Sequence, residues 1–354
     1  MTTPIKVFLV EDSPVALNIL QRILDSSPDI KVIGTAGNGV NALQQIPQLK
    51  PDVVCTDVLM GEMDGLEFTK NLMSEFPLPI LVISDLVTAQ NTQKIGQLFE
   101  AGVVDVFPKP KTGSIEDYEK QKNNLVSKLI ILSGVKVFTK KHNCNYKNLK
   151  KNRSELLQNK TNTTNYQIVA IGVSTGGPKA IQQIITQLPA NFPLPIVCTQ
   201  HISVGFLSSL ISWLSLDTKL KIKIAQIGEQ PLPGTFYYAP EQYHLEIDGR
   251  GKFAYSSSPA VNNHRPSVTT MFQSLAQFYG NSMIAILLTG MGKDGVAGMQ
   301  EIERRGGLTI AQDKDSSVIF GMPQEAIKLG IVNQILPLEQ IAPFLLCQVR
   351  YLKE

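Results

Sequence analysis

The chain has 354 residues, 43% of them hydrophobic, and this length and composition predict two domains with separate cores. A formal net charge of +3 is small for this size, and most of the basic excess lies in one stretch, so the charge does not indicate a general nucleic-acid or membrane surface. The segment MTTPIKVFLVEDS has too short an apolar run for a signal peptide, no apolar run reaches about 20 residues, and the four cysteines lack C-x-x-C spacing. These features predict a cytoplasmic protein without membrane insertion, a disulfide framework or a zinc site.

The first half of the chain alternates short apolar segments with amphipathic segments. The apolar segments read KVFLV, IKVIGTA, DVVCTDV, PILVISD and VDVFPKP, and the segments between them have the length of helices. Turn residues bound the apolar segments. This order predicts a doubly wound α/β domain with a five-stranded parallel sheet over residues 1–125.

Polar side chains follow the predicted strands of this domain. They are Glu11 and Asp12 after the first strand, Asp57 after the third, Ser84 after the fourth and Lys109 after the fifth. Each acid alone also fits a helix cap, a role that Ser13 before Pro14 can fill. Together, three carboxylates can hold a hard ion such as Mg²⁺, and a lysine with a hydroxyl can contact a phosphoryl group. Asp57 alone is both near the metal and placed as a carboxylate nucleophile.

Residues 4–125 resemble the receiver domain of bacterial response regulators through the motifs LVEDS, CTDVLMGEMDGLEF and FPKP. The resemblance implies a flavodoxin-like fold and phosphorylation of Asp57 by a histidine kinase. The implied site consists of Glu11, Asp12, Asp57 and the Leu59 carbonyl around Mg²⁺, and of Ser84 and Lys109 at the phosphoryl oxygens.

Two positions depart from the receiver pattern, and the first is Gly61, where receivers usually carry Pro. Receivers usually carry Tyr or Phe three residues before the lysine, and Val106 stands there. Phe107 is adjacent, but alternation along a strand directs its side chain to the opposite face. We therefore expect no aromatic switch at this position.

A segment rich in Lys, Asn and Thr separates the two halves, KVFTKKHNCNYKNLKKNRSELLQNKTNTTNY. It has few periodic apolar residues, which is typical of a solvated linker. The sequence predicts a flexible linker over residues 126–165. Its basic residues fit solubility, and an electrostatic docking strip is the alternative.

The second half opens on AIGVSTGGP, which is entered from an apolar run and left into a helix-like stretch. A dinucleotide fingerprint needs glycine where Ser174 stands, so the segment does not match that fingerprint. Gly172 to Gly176 instead fits G-x-S-x-G, in which a tight strand-to-helix turn leaves the serine hydroxyl exposed. Ser174 is a candidate nucleophile, and a serine that only caps the helix is the alternative.

His201 and Asp294 are the candidate partners of Ser174. His201 follows the buried-strand segment PIVCTQ, and Asp294 follows MIAILLTG in a glycine-rich turn. Parallel strands place their carboxyl ends at one edge of a sheet, so three strand ends converge on these residues. His201 can take the serine proton while Asp294 orients the imidazole. Turn formation beside Gly295 is the alternative for Asp294.

Residues 166–346 resemble the catalytic domain of the CheB family of chemotaxis protein-glutamate methylesterases. The motifs are GVSTGGP, TQHISVGF, YAPEQYHLEI, NNHRPSV, LLTGMGKDG, GGLTIAQD and VIFGMPQEA. The resemblance implies a doubly wound α/β methylesterase domain, placed at residues 166–350, that demethylates glutamate methyl esters and deamidates glutamines on chemoreceptors. It also implies Ser174 as nucleophile, His201 as base, Asp294 as orienting acid and the backbone N–H of Met291 at the oxyanion.

Several other side chains have two interpretations or a structural one. His264 and Arg265 either shape the receptor groove or belong to a structural loop held by Pro266. His244 is expected to be structural, and Trp213 is expected in the core or on a partly buried helix face.

The two halves together predict a phosphorylation-activated methylesterase and glutaminase of a two-component chemotaxis system. We expect methyl-accepting chemoreceptors as substrates, a chemotaxis histidine kinase as phosphodonor, Mg²⁺ in the receiver, no cofactor for the esterase chemistry, and a monomer that binds no nucleic acid. The alternatives are a non-catalytic signalling adaptor of the same fold and a serine esterase for small metabolites. The flexible tether also suggests autoinhibition, in which the receiver covers the entrance to Ser174.

Overall fold

The computed structural model describes residues 3–85, 92–110, 115–135, 137 and 166–349. In these residues a five-stranded sheet precedes a seven-stranded sheet, and a two-stranded ribbon accompanies the second. The predicted fold class, an α/β receiver followed by a doubly wound α/β domain, is confirmed. Within the described ranges, no helix is long and apolar enough to cross a membrane.

The first domain alternates strands and helices in the predicted order. Its elements are β1 (Ile5–Val10), α1 (Pro14–Asp25), β2 (Ile30–Ala36), α2 (Gly39–Leu49), β3 (Val53–Thr56), α3 (Gly65–Glu75), β4 (Ile80–Ile83), α4 (Thr92–Ala101), β5 (Asp105–Phe107) and α5 (Ile115–Ser133). The strands are parallel in the order β2-β1-β3-β4-β5, the flavodoxin-like order. Ser13 caps α1 by accepting a hydrogen bond from the Ala16 N–H at 3.3 Å.

The first sheet is buried on both faces because its side chains alternate between two apolar clusters. Phe8 packs in the cluster on one face, while Val7 and Leu9 pack in the cluster on the other. Val106 and Phe107 separate in the same way, as the alternation predicted. The strands therefore read as continuous apolar runs, as parallel strands do.

The second domain contains nine further strands and six further α-helices within residues 166–349. They are β6 (Ile168–Val173), α6 (Gly177–Ile185), β7 (Ile196–Gln200), α7 (Leu207–Asp217), β8 (Lys221–Ile224), β9 (Thr235–Tyr238), β10 (His244–Ile247), β11 (Phe253–Ser256), α8 (Val268–Tyr279), β12 (Met283–Leu287), α9 (Val296–Arg304), β13 (Leu308–Gln312), α10 (Met322–Lys328), β14 (Gln334–Leu336) and α11 (Leu338–Gln348). A 3₁₀ turn over Gly280–Ser282 leads into β12.

The second sheet has three strands on each side of its central strand, β6. Its strand order is β14-β13-β12-β6-β7-β9-β8, with all neighbours parallel, while β10 and β11 form the antiparallel ribbon. The chain direction across the sheet reverses beside β6, and such a switch point opens a crevice at the carboxyl ends of the strands. Ser174 directly follows β6 and so lies at this crevice.

Helix α5 extends beyond residue 125, the predicted end of the receiver, and ends at Ser133. Leu125, Leu129 and Leu132 are fully buried, and their helical spacing aligns them on one face against the first sheet. The first residues of the predicted linker are therefore helical. Residues 136 and 138–165 lie outside the described residues, so the flexibility of the linker and the domain boundaries stay predictions.

The two domains pack against each other through α4 and α7. Trp213 of α7 is 2% exposed, and its ring stacks on Phe99 of α4 with centroids 5.6 Å apart. The indole N–H donates to Glu100 at 3.3 Å. Gly96 faces this indole, where a Cβ would lie 2.1 Å from Trp213 Cδ1. Trp213 thus lies in the apolar interface between the domains.

We expect Gly96→Ala to loosen the contact between α4 and α7. Alanine favours the helix, but its methyl group overlaps the indole, and overpacking of this kind costs roughly 1–3 kcal/mol. Because Trp213 is the single tryptophan of the chain, its fluorescence should shift to the red as the ring becomes hydrated. Gly61→Ala, where a Cβ meets no atom within 4 Å, is the matched control. Identical emission spectra for the two variants would contradict the close packing.

Candidate active site and phosphorylation site

Ser174 occupies the turn between β6 and α6. Gly176 has a φ of 80°, and a Cβ there would lie 2.6 Å from the Val318 side chain, so the turn requires glycine at that position. The Ser174 N–H donates to the Thr289 carbonyl at 3.0 Å, and the Ser174 carbonyl accepts from the Gln200 side chain at 2.8 Å. These two bonds fix the backbone of the predicted nucleophile.

The loop after β12 packs on Ser174. A Cβ on Gly290 would lie 2.6 Å from the Ser174 Cβ, so only glycine permits this approach. Ser174 is 9% exposed, which corrects the expectation of an exposed hydroxyl, because the neighbouring loop covers the turn. Met291 follows Gly290 directly, and its backbone is therefore beside the Ser174 turn while its side chain is half-exposed.

His201 follows β7 and pairs with Asp294 from the loop after β12. The His201 N–H donates to the Val173 carbonyl at 2.9 Å, which ties its loop to the end of β6. Nε2 of His201 lies 2.9 Å from Oδ2 of Asp294. Nδ1 is buried and has no hydrogen-bond partner among the described residues. Since Asp294 occupies Nε2, Nδ1 is the ring nitrogen that remains for proton transfer.

Asp294 is held at the N-terminus of α8. Its Oδ1 accepts from the Ser267 hydroxyl at 2.8 Å and the Thr269 N–H at 3.1 Å, and its Oδ2 accepts from the Val268 N–H at 2.8 Å. The free N–H groups of a helix N-terminus stabilise a negative charge. Burial alone would raise the pKa of Asp294. Hydrogen bonds from His201, Ser267 and Thr269 nevertheless hold this pKa well below its usual range. The carboxylate is therefore ionised at neutral pH.

His264 lies flat against His201, with ring centroids 3.6 Å apart and an interplanar angle of 5°. Burial, followed by the charge of His201, lowers the pKa of His264 to about 4, so its ring is neutral at neutral pH. Arg265 donates instead to the Ser257 carbonyl at 3.0 Å and holds the loop. His264 thus contacts the candidate base, whereas Arg265 holds the backbone of the loop.

His244 is fully buried in β10 and makes no hydrogen bond to His201 or Asp294 among the described residues. Its Nδ1 accepts from the Ser267 N–H at 3.2 Å, and its Nε2 lies 3.1 Å from the Pro259 carbonyl. Both ring nitrogens are thus used to hold backbone, which agrees with the expected structural role.

An acidic cluster lies at the carboxyl edge of the first sheet. Carboxylate oxygens of Glu11, Asp12 and Asp57 lie within 4.8 Å of one another. Glu11 and Asp57 are buried, whereas Asp12 is exposed, so the cluster is open on one side. Three converging carboxylates are the ligands that Mg²⁺ prefers, so these residues fit that ion. Leu59 lies in the exposed loop after Asp57.

Lys109 bridges two members of this cluster. Its ammonium lies 2.8 Å from Oε1 of Glu11 and 2.7 Å from Oδ2 of Asp57. Burial alone would lower the pKa of Lys109, but the hydrogen bonds to Asp57 and Glu11 raise it, so the cation is retained. Ser84 is buried at the end of β4, and its N–H donates to the Phe107 carbonyl at 3.0 Å. All predicted receiver-site residues therefore lie along one sheet edge.

Sequence reasoning missed several supports of the second site. Ser267 and Thr269, which hold Asp294, come from the segment SVTT, whose serine is a recognisable N-cap signal. Gly290 lies in the motif LLTGMGKDG, but the motif does not predict its contact with Ser174, because the two residues are distant in the chain. Gln200 has no local signal at all.

The fold and the two sites define a response-regulator receiver joined to an α/β domain that carries a Ser-His-Asp cluster. Residues 7–117 match the family model of the response regulator receiver domain, and residues 169–345 match that of CheB methylesterase. The chain belongs to the CheB methylesterase family, and the family resemblance found in the sequence is confirmed.

Relatives of full length share both domains. Protein-glutamate methylesterase/protein-glutamine glutaminase 2 of Methanospirillum hungatei is 39% identical over 96% of this chain and 97% of the relative. The protein of that name numbered 1 in Carboxydothermus hydrogenoformans is 40% identical over 95% of this chain and 97% of the relative. The crystal structure of the Thermotoga maritima CheB methylesterase catalytic domain aligns with a TM-score of 0.51 and 42% identity, covering 52% of this chain and 99% of that chain. The predicted enzyme class is confirmed.

Proposed function

We propose that this protein is a phosphorylation-activated hydrolase that demethylates glutamate methyl esters and deamidates glutamines on chemoreceptors. The observation that carries the proposal is the pairing of His201 with an ionised Asp294 at the sheet edge where Ser174 turns out of β6. A non-catalytic adaptor has no need of a buried carboxylate that fixes one imidazole nitrogen and leaves the other free.

The chemistry follows from these positions. Ser174 Oγ attacks the carbonyl carbon of the glutamyl ester while His201 Nδ1 takes the hydroxyl proton, and Asp294 stabilises the imidazolium through Nε2. The Met291 N–H donates to the oxyanion as it develops. The proton then passes to the leaving group, which departs as methanol from an ester or as ammonia from a glutamine. Water, deprotonated by the same nitrogen, cleaves the acyl-serine and restores both groups.

The receiver supplies the regulation. Asp57 accepts the phosphoryl group from a chemotaxis histidine kinase, and Ser84 and Lys109 contact the phosphoryl oxygens. Glu11, Asp12, Asp57 and the Leu59 carbonyl would hold Mg²⁺, which, when bound, offsets the negative charge that gathers at the transferring phosphoryl group. The esterase chemistry uses no cofactor. We place this activity in the cytoplasm, in a monomer with a receiver over residues 1–125, a linker over residues 126–165 and a catalytic domain over residues 166–350.

Methanol release tests the proposal against its alternatives. We expect the purified full chain to release methanol from methylated receptor membranes and to act much more slowly on simple glutamate methyl esters. A chain that binds receptor but releases no methanol would be an adaptor. A chain that hydrolyses simple esters as fast as receptor would be an esterase for small metabolites.

The packing of the receiver near the catalytic loops supports autoinhibition. We expect removal of residues 1–160 to raise esterase turnover severalfold, because the tether holds the receiver at a high effective concentration beside the site. The Thermotoga maritima relative was crystallised as an isolated catalytic domain, which supports folding of the truncated chain. Phosphorylation of the full chain should also raise turnover, but to a lower level, because Val106 cannot swing an aromatic ring.

The comparison requires the full, phosphorylated and truncated proteins on one receptor preparation. A truncated domain slower than the unphosphorylated full chain would rule out simple occlusion and favour activation by contact.

A further inference from the structure

Strand β5 of the receiver reaches both loops that carry the predicted catalytic residues. Oδ2 of Asp105 accepts a hydrogen bond from the Thr175 hydroxyl at 3.0 Å, and Thr175 directly follows Ser174. The next residue on the strand, Val106, accepts from the Ser203 hydroxyl at 3.2 Å through its carbonyl, and Ser203 lies two residues beyond His201. Two adjacent receiver residues therefore touch the loop of the nucleophile and the loop of the base.

The Asp105 carboxylate is held by hydrogen bonds and an ion pair. Asp105 is 6% exposed; its Oδ1 accepts from the Val106 N–H at 2.8 Å, and its Oδ2 lies 2.6 Å from the Lys128 ammonium of α5. Thr175 is also 6% exposed, and its carbonyl accepts from the Thr289 hydroxyl at 3.0 Å. A hydrogen bond to a buried, paired carboxylate is stronger than one between neutral groups. The Thr175 hydroxyl is thus held from the receiver side.

The charge of Lys128 also acts on a residue of the predicted active site. The charge of Lys128 contributes, after burial and the charge of His201, to the lowered pKa of His264. Lys109, which contacts Asp57, follows Asp105 by four residues across the end of β5. One short strand therefore joins the predicted phosphorylation site to the turn of Ser174.

We propose that Asp105, held by Lys128, is a positioning residue that clamps the Ser174 turn in an unreactive arrangement while the domains are docked. The proposal rests on the proposed function. In the docked structure His201 Nδ1 has no hydrogen-bond partner among the described residues, so the base is not joined to the serine. Occlusion by a covering domain needs no particular side chain, whereas the clamp depends on one carboxylate and one hydroxyl.

Labelling of Ser174 by a small fluorophosphonate tests the clamp in the unphosphorylated full chain. We expect Asp105→Ala, Lys128→Met and Thr175→Val each to raise the labelling rate roughly tenfold to a hundredfold, the effect of losing one hydrogen bond to a charged group. Thr175→Ser, which keeps the hydroxyl, should label as the wild type does. Lys122→Met is the matched control, because it removes a lysine of the same helix that pairs only with Glu119 among the described residues.

Two further measurements separate the clamp from general loosening. Trp213 emission should stay unchanged in the clamp variants, because α4 and α7 remain packed. Asp105→Ala combined with Thr175→Val should label no faster than either single variant, because both remove the same bond.

Each opposite result overturns the clamp: unchanged or slower labelling, faster labelling that always accompanies a red-shifted Trp213, or additive effects in the double variant. Absence of labelling in the wild type and in every clamp variant, or labelling of Ser174→Ala at the wild-type rate, would instead refute the serine mechanism on which the clamp depends. Labelling that is specific to Ser174 but insensitive to Asp105 would refute the clamp alone.

Discussion

Ser174→Ala is expected to reduce methanol release from methylated receptor by roughly five to six orders of magnitude, the usual cost of removing the nucleophile of a triad. The loss should be in kcat, because the hydroxyl forms a bond only during the reaction. Deamidation should fall by the same factor, since both reactions pass through the same acyl-serine. The measurement is initial-rate methanol and ammonia release at saturating receptor.

The fold of this variant can be checked in the same sample. Ser174 holds its turn through backbone bonds to Thr289 and Gln200, and alanine keeps both. Trp213 emission should therefore match the wild type. Ser215→Ala, which removes an exposed hydroxyl bonded only to the Ile211 carbonyl of its own helix, is the control and should keep full activity. Substantial methanol release by Ser174→Ala would assign the chemistry to another nucleophile.

The residues at the strand ends were predictable from the sequence because parallel sheets have a simple geometry. Each buried apolar run ends at the same edge, and Ser174, His201 and Asp294 meet there because β12, β6 and β7 are neighbours in the sheet. The same argument brought Asp57 and Lys109 together in the receiver. Local pattern and sheet geometry were sufficient for these positions, and family resemblance added their roles.

Contacts between the domains were not predictable in this way. Asp105 and Thr175 are 70 residues apart and belong to different sheets, so no periodicity relates them. Trp213 was expected on a buried or partly buried helix face, but its stacking partner Phe99 comes from the other domain. The pattern of one helix shows which face is apolar, and it does not show which surface covers that face.

The end of the receiver shows a second limit. The lysines and asparagines near residue 126 predicted a linker, yet Leu129 and Leu132 continue the apolar stripe of α5 to Ser133. Average composition concealed two buried positions. The extra turns matter for function, because they carry Lys128 to the interface, where it pairs with Asp105.

Asp57→Asn is expected to abolish stable phosphorylation of the full chain by a small phosphodonor such as acetyl phosphate. A neutral amide is a poor nucleophile, and its loss of charge weakens the three-carboxylate cluster that fits Mg²⁺. The esterase turnover of this variant should remain at the unphosphorylated level when phosphodonor is added. Incorporation of labelled phosphate and methanol release, measured on the same sample, test both statements.

Lys109→Ala is the informative comparison for Asp57→Asn, because it removes the cation that bridges Glu11 and Asp57 and leaves the nucleophile in place. We expect this variant to take up phosphate but to lose most of the increase in turnover, since Lys109 connects the phosphoryl site to β5. Trp213 provides the structural readout: phosphodonor should shift its emission in the wild type, shift it less in Lys109→Ala and leave it unchanged in Asp57→Asn. Undiminished labelling of Asp57→Asn would move the acceptor to another residue. A full emission shift in Lys109→Ala would mean that the signal reaches the α4 and α7 contact by a route other than β5.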